Sequence, residues 1–571
     1  MAARASTVFF KGILVSFIAA CYFGMPAQAA TITVDTTAIT GTASECSLQD
    51  ALTAANTNTV VNGCLAGDSL PAVDVVQLPA GTFTIGYAFN LQPDESVSIR
   101  GAGMASTILD GVTVSPTSDA VLGRIFELRD LTLINSAISI NDSVSTFTMD
   151  HVGLDAATVD IGQQSKAVTS ILSNLTASND SWVSSYANIL APGNLTVEKS
   201  EFNGNGSSIY PAVTHIDPRA NSSVEVTNSV IAGYPLGLYN QECSAGVSIL
   251  TTLYITDTMI GGGGMQQGVV NVCGHLVINN STFHDIQGAA VLASADYQTV
   301  DFIDSVYSCR PQQSSRIEIN NSTFTRVNVT GTYQPLISRS STTPSEVPYN
   351  GVITIDSSLN PECSSATQIS NTDLSFLHTT FADNTFTNAG SANIGVMDGT
   401  GLRNLVLRNN ALQGNALAGT FSASGTVDIA NNLMTTTYAG PESFATGFST
   451  VADFLLGPLQ DNGGTAAIGF DGASGHVLTM RPLAGSPLID AAPYAGLAED
   501  ERGATRSLMA RYDIGAVEVT LAEFTADGGV YNSGSTTTDR LAETGSDALM
   551  VYCVGVVLAL AGCATLIARR S

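Results

Sequence analysis

Three groups of side chains have residue types and spacings that invite chemistry. The first is thiols: of nine cysteines, Cys46, Cys64, Cys243, Cys273, Cys309 and Cys363 lie between the two apolar ends of the 571-residue chain. No two of them form a C-x-x-C and no His stands at ligand spacing from any, so a zinc site is not expected and oxidation is. Sequence order suggests the pairs Cys46–Cys64, Cys243–Cys273 and Cys309–Cys363, although six cysteines allow fifteen pairings. The second group is Asp383 with Arg403 and Arg408. Carboxylates that hold calcium beside an arginine base can open an acidic sugar chain by proton abstraction. Arg408, however, falls in the ordinary turn region of a repeated pattern. The third group is Asn371-Thr-Asp373 and, far downstream, Gly475-His476. Glycoside hydrolysis needs two carboxylates flanking the bond, and no second acidic motif follows Asp373 at a useful distance. No catalytic residue, cofactor site or metal site is therefore assigned, and calcium is the one ion left open.

The scaffold that would position such groups is a repeat. Arg316-Ile-Glu-Ile-Asn-Asn-Ser-Thr-Phe324 has the form x-Φ-x-Φ-x-Asn-Ser-x-Φ, where Φ is apolar. Two apolar residues at period two make a short strand with one buried face. The same frame starts at Asp130, Thr146, Asn194, Ser223, Thr252, His275, Asp373, Asn404 and Thr426. Its sixth residue reads Asn135, His151, Lys199, Asn228, Asp257, Asn280, Asn321, His378, Asn409 and Asn431. Asn, Asp and His are the non-glycine residues most tolerant of a left-handed turn. A turn ladder is expected through Asn228, Asn280, Asn321, Asn409 and Asn431, their side chains stacked inward. Several of these asparagines precede x-Ser/Thr, but the repeat itself explains that without glycosylation.

The frames start 16, 48, 29, 29, 23, 41, 57, 31 and 22 residues apart. Steps of 22–31 suit one turn of a three-faced parallel β-helix. The long steps suit loops such as 331–348 or a weak extra coil at Ser170–Asn174, and the 16-residue step places one of its two frames on another face. A leucine-rich repeat would need regular spacing and a helix-forming return, whereas the return segments here are rich in Gly, Ser, Thr and Asn. The expected fold is all-β: a right-handed parallel β-helix over 96–450, with a cap at 31–95 and a closing segment at 451–518. In the cap, Leu48, Ala51, Leu52 and Ala55 fall on one helical face, with Ser47 and Asp50 placed as a capping box.

Composition limits the partners. Charged residues make up 12%, with 49 acidic against 21 basic and a net charge of −28, so nucleic acid would be repelled. Residues 1–30 read as a signal peptide, with Arg4 and Lys11, an apolar Gly12–Phe23 and a small-residue site at Ala27-Gln-Ala29. Export favours disulfides for the six cysteines.

Cys46-Ser-Leu-Gln-Asp-Ala-Leu52 through Ala54-Ala-Asn56 resembles the motif that opens many exported bacterial β-helix proteins. Gly457-Pro-Leu-Gln-Asp-Asn-Gly-Gly-Thr465, Met480-Arg-Pro-Leu483 through Asp490, Asp500-Glu-Arg-Gly503 and Tyr512-Asp-Ile-Gly-Ala-Val-Glu518 are similar to the closing segment of the same group. The chain is thus identified as resembling the choice-of-anchor Q family, surface proteins with a β-helix body and varied C-terminal anchors. It departs from that pattern after Asn-Gly-Gly and in carrying Glu501 where Gln is common. The resemblance implies a fold and no activity.

Residues 519–540 form a polar spacer. Leu541-Ala-Glu-Thr-Gly545, an apolar run at 548–568 and Arg569-Arg570 follow. About 20 apolar residues can span a bilayer, and the arginines would keep the tail inside. The order of Leu541, Ala542, Glu543, Thr544 and Gly545 before such a run resembles a sortase sorting signal of the Leu-Ala-x-Thr-Gly type. The resemblance implies that a sortase cysteine attacks the Thr544 carbonyl, releases Gly545 onward, and passes Thr544 to a peptidoglycan amine. The expected protein is displayed covalently on a Gram-positive cell wall, with a membrane-spanning precursor and a glycan or neighbouring cell surface as ligand. β-helices also include polysaccharide lyases and hydrolases, so a wall-anchored enzyme of that kind is the competing expectation.

Overall fold

The computed structural model describes residues 29–529, apart from 85–89, 92, 116–122, 142, 164–168, 179–181, 188–193, 204–214, 219–222, 234, 240–251, 263, 273, 295–299, 304–305, 310–315, 334–346, 357–371, 398–401, 420–424, 439–441, 494–496 and 507–510. The sorting residues Leu541, Ala542, Glu543, Thr544 and Gly545, the apolar run 548–568 and the leader through residue 28 lie outside the described residues. So do Cys243, Cys273 and Cys363, and the Cys309 side chain. Among the described residues no helix is long and apolar enough to cross a membrane.

Residues 29–519 are mostly strand, and nearly every strand pairs in parallel with the equivalent strand one turn along. His275–Asn279 lies between Thr252–Thr256 and Arg316–Asn320, with Leu276 opposite Leu253 and Ile317. The next strand of the same turn, Thr282–His284, lies between Met259–Gly261 and Thr323–Thr325. These two columns form one 25-stranded sheet bent along its length. A 12-stranded sheet, containing Ala289–Ser294 and Gly351–Asp356, supplies the third side of each turn. Loops enter where the frame spacing is long. A hairpin of Val300–Ile303 and Val306–Cys309 interrupts one turn, and Thr332–Tyr333 pairs antiparallel with Val347–Pro348 in the next. Thr169–Ser178 fills the 48-residue gap as a turn of its own.

All ten sixth-position residues have positive φ, from 45° at Asn321 to 57° at Asn409. The 16-residue step is resolved by register: Met149 pairs with Leu128 and Leu154 with Leu133. Asp130 (φ 55°) is therefore the equivalent of His151, and Asn135 (φ 48°) belongs to a second corner shared with Ala156 (φ 48°). The same second corner recurs five residues after the first, at Asp285, Arg326 and Asp383.

One rung of the expected ladder is present, Asn321 Nδ2 donating to Asn280 Oδ1 at 3.4 Å, and a further ladder runs one residue later. The sixth residue sets the bend, while the seventh, Ser, Thr or Asn, turns inward and accepts a backbone N–H from the turn before it. Ser200 Oγ accepts from Leu175, Ser281 Oγ from Thr258, Ser322 Oγ from Ser281, and Asn410 Oδ1 from Thr379. The inward asparagines are thus Asn410 and Asn432, joined at 2.9 Å, whereas Asn431 is exposed. Inside the coil, Leu276, Ile278, Ile317, Ile319, Leu405 and Leu407 are all buried in one continuous core. Phe283, Phe324 and Phe381 stack in file at 4.8 and 5.0 Å.

Near the N-terminus, helix Leu48–Thr57 buries Leu48, Ala51, Leu52 and Ala55 in that core. Ser47 Oγ accepts from Asp50 N, but the Asp50 carboxylate takes the Ser47 hydroxyl and Gly41 N instead of closing a capping box. Cys46 and Cys64 form a disulfide with Cα atoms 4.6 Å apart. Residues from Thr520 onward form a separate unit, in which Thr520 and Glu523 make a full capping box for helix Leu521–Ala526.

Candidate functional site

The charged groups singled out in the sequence do not converge. Asp373 opens a strand of the first face and is paired by Arg403 of the next turn, with Asn404 Nδ2 at 2.8 Å. Burial alone would raise the Asp373 pKa, but those bonds and the charges of Arg403 and Arg316 hold it below the ordinary carboxylate value. Arg403 is correspondingly fixed as a cation and is no base. Arg408 pairs with Asp428 on the same face, while Asp383 sits at the second corner. His476 pairs with Asp461 at 3.1 Å within the closing segment.

Asp383 and Gln413 do border a cleft of about 170 Å³ with Asp453, Phe454, Leu456, Gly457, Pro458 and Met480. Gln413 Oε1 accepts from Asp383 N at 2.6 Å and Asp453 Oδ1 from Leu455 N at 3.1 Å. Leu455 holds a positive φ of 48°. Two carboxylates thus border the cleft, and its exposed lining is mostly polar.

The largest concentration of unusual electrostatics is where the closing segment meets the coil. The eighth frame position, Val230, Met259, Thr282, Thr323, Thr380, Ala411 and Leu433, forms one column on the outside of the second face. Residues 451–519 cover that column in matching order. Ile468 and Val477 pack on Val230 and Met259, and Phe454, Leu488 and Ile514 pack around Ala411 and Leu433. Between them, Glu501 meets the threonines: its Oε1 lies 2.9 Å from Thr282 Oγ1 and accepts from Thr323 N at 3.1 Å. Burial pushes the Glu501 pKa well above the usual carboxylate range, although the threonine hydrogen bonds oppose the shift. Thr282 has one hydroxyl hydrogen and two acceptors, Glu501 Oε1 and the Leu478 carbonyl at 2.5 Å. A protonated Glu501 would donate to Thr282 Oγ1 and leave the Thr282 hydrogen for the Leu478 carbonyl.

Behind Glu501 lies a buried ionic cluster. Arg506 NH2 donates to Asn321 Oδ1 at 2.8 Å and to the carbonyls of Gly515 and Ala516, and its NH1 meets Glu518 Oε2 at 3.4 Å. Arg502 pairs with Asp500 at 3.0 Å. Asp513 accepts from the backbone of Asp490 and Val519, and burial with the neighbouring Glu518 charge pushes its pKa up to about 8. His378, fully buried, receives Asn409 Nδ2 at its Nε2 and therefore carries its proton on Nδ1, facing the Asp513 carbonyl. Burial and the nearby Arg506 charge hold it neutral, well below the usual imidazole pKa. The sequence did carry a signal for this cluster: Asp500-Glu-Arg is a charge-dense run in a chain otherwise poor in charge. Nothing in the run said that it would be buried.

No family model matches the chain, and no curated protein does. Among solved structures, it is similar to the A-module of the mannuronan C-5 epimerase AlgE4 of Azotobacter vinelandii, at 14% identity, 62% of this chain, 91% of that chain and a TM-score of 0.30. It is also similar to the catalytic unit of a GH87 α-1,3-glucanase of Streptomyces thermodiastaticus, at 15%, 75% and 68%, with a TM-score of 0.29. An alginate lyase, AlyF-OU02, matches at 12%, 62% and 90%, with a TM-score of 0.24. Likeness this slight transfers no activity to this chain.

Proposed function

We propose that this chain is a right-handed β-helix displayed on the cell wall, sorted there through Thr544, which binds or shields at the surface without catalysing a reaction. The observation that supports binding is the outside of the first face. There Thr227, Thr256, Asn279 and Asn320 follow one another turn by turn, and Asn320 Nδ2 donates to Asn279 Oδ1 at 3.0 Å. Uncharged donors and acceptors repeating at about 4.8 Å suit a polymer with many hydroxyls. Tyr254, exposed beside that column, offers a ring on which a sugar can stack.

The attachment is tested by wall fractionation. Thr544→Ala should leave residues 545–571 attached and move the protein to the membrane fraction. Extraction of the wild type by detergent alone, tail intact, would sink the wall reading in favour of a simple membrane anchor. Binding is tested by retention on immobilised neutral and acidic glycans, with Tyr254→Ala as the variant. A second reading, a wall-anchored polysaccharide lyase or hydrolase, is favoured by the cleft beside Asp383 and Asp453. Release of reducing or unsaturated sugar by the wild type, abolished by Asp453→Asn, would replace the first reading with the second.

A further inference from the structure

The closing segment leaves the coil at a point that matters mechanically if the chain is attached through its C-terminal tail, as proposed above. A solenoid pulled at its last turn has little to resist with, because each turn is held mainly by its neighbours. Here the chain does not leave from the last turn. Val451 N donates to the Met434 carbonyl at the last turns, and the segment then runs back along the covered column. It reaches as far as His151, whose ring meets Phe470 at 5.9 Å, and Gly469 N donates to the Asn228 carbonyl. It returns through Glu501 at Thr282 and Thr323, Arg506 at Asn321, Ala516 N at Thr380 Oγ1 and Gly515 N at the Asn409 carbonyl. The last residues are themselves pinned: Val519 N donates to Asp513 Oδ2 at 2.7 Å, Glu518 N to Asp500 Oδ2 at 3.0 Å, and Arg502 NH2 to the Glu518 carbonyl at 2.6 Å.

We infer that residues 451–519 are a mechanical clasp, which takes a pull arriving at Val519 and spreads it over the turns between His151 and Met434, so that the coil is not unwound from its C-terminal end. The buried ions fit that task. A charged group torn from its partner in a dry interior leaves the other charge unpaired, so separation begins only at high cost. The apolar contacts at both ends of the column keep water from that interior.

The test is single-molecule pulling on the full chain with one handle at residue 31 and the other at one of two places. With the second handle after residue 529, the first event should be release of 451–519 as a unit. With it at exposed Val427, on the last turns, the coil should open first, in steps of about 70–110 Å for turns of 22–31 residues. The first rupture through the tail should need roughly twice the force of that at Val427, since forced unfolding reports the barrier of the contacts loaded first. Arg506→Met should abolish the difference. Thr323→Val, which removes one bond to Glu501 at nearly constant volume, should reduce it, and it serves if Arg506→Met does not fold. Equal forces at the two handles, or turn-length steps preceding clasp release through the tail, would overturn the inference. Because pulling is done on purified protein, its outcome is independent of whether Thr544 is the attachment point, which fractionation decides separately.

Discussion

The coil and its closing segment are held by opposite means. In the coil, each turn presents the same residue types to the same place, so leucine meets leucine, phenylalanine stacks on phenylalanine and a seventh-position hydroxyl takes the N–H of its neighbour. Charge is rare inside, Arg124 near Asp94 and the Pro93 carbonyl being an exception, and a defect costs about what its own contacts were worth. The closing segment has almost no regular pairing; it is joined by isolated bridges and by Asp500, Arg502, Arg506, Asp513 and Glu518, all buried. Repetition gives a coil that tolerates local change, whereas an irregular strap needs a few strong, mutually dependent contacts. The two regions should therefore fail differently.

The sharpest contrast pairs Phe324→Ala with Arg506→Met. Each should cost about 3–5 kcal/mol, the first as a cavity in the ring stack and the second by stranding Glu518 and its neighbours. They should differ in where protection is lost. Hydrogen exchange should rise around Phe283 and Phe381 in the first variant, and at Thr282, Thr323, Thr380 and the closing segment in the second. Identical exchange patterns would show that coil and strap unfold as one.

Removing Cys64 as Cys64→Ser should cost ~3 kcal/mol through the freed unfolded loop, given a Cys46–Cys64 separation of 18 residues. The effect should stay at the N-terminal end and leave exchange in the closing segment unchanged. Loss of protection near Glu501 would break the distinction between a locally tied terminus and a separately clasped face.

pH should act on the strap more than on the coil. A carboxyl whose folded pKa is raised binds its proton more tightly when folded, so its contribution is fully present below the unfolded pKa. For Asp513 that contribution is lost as pH rises from about 4 through about 8, and Glu501 has the same sign. His378 acts oppositely: its lowered folded pKa favours the native state above the unfolded value near 6.5, and that benefit is lost as pH falls below it. Melting temperature should thus fall as pH rises from about 6.5, where the His378 benefit is complete, to about 8, where Asp513 has ionised. Glu501→Gln should reduce that fall, and His378→Asn should improve stability at pH 5. A Glu501→Gln variant as alkali-sensitive as the wild type would mean that Glu501 is already ionised in the fold.

The smallest effect concerns the corners. Lys199 occupies a left-handed position (φ 47°) filled elsewhere mostly by Asn. Lys199→Asn should stabilise by up to about 1 kcal/mol, a size typical of relieving a single left-handed residue. Destabilisation would show that the Lys199 side chain has a role of its own.

The repeat frame by itself determined the parallel coil, its buried alternation and one left-handed corner in each turn, because those follow from a few residues acting locally; the second corner, at Ala156, Asp285, Arg326 and Asp383, lies beyond the frame. Sequence order also suggested the pair Cys46–Cys64, one of fifteen pairings left open, and the structure forms it beside a short helix. The frame showed which residue could bend but not which side chain the bend would turn inward, so the seventh-position ladder went unread beside the sixth-position rung of Asn280 and Asn321. What only the tertiary structure decided is the fate of the eighth position. Thr282, Thr323 and Thr380 stand at an unspecified position of the frame, and they are buried because residues more than a hundred positions away fold back over them. No local pattern encodes that cover. Burial raises the Glu501 pKa, and Arg506 becomes the hub of a buried ionic cluster, only where the closing segment has already shut out water.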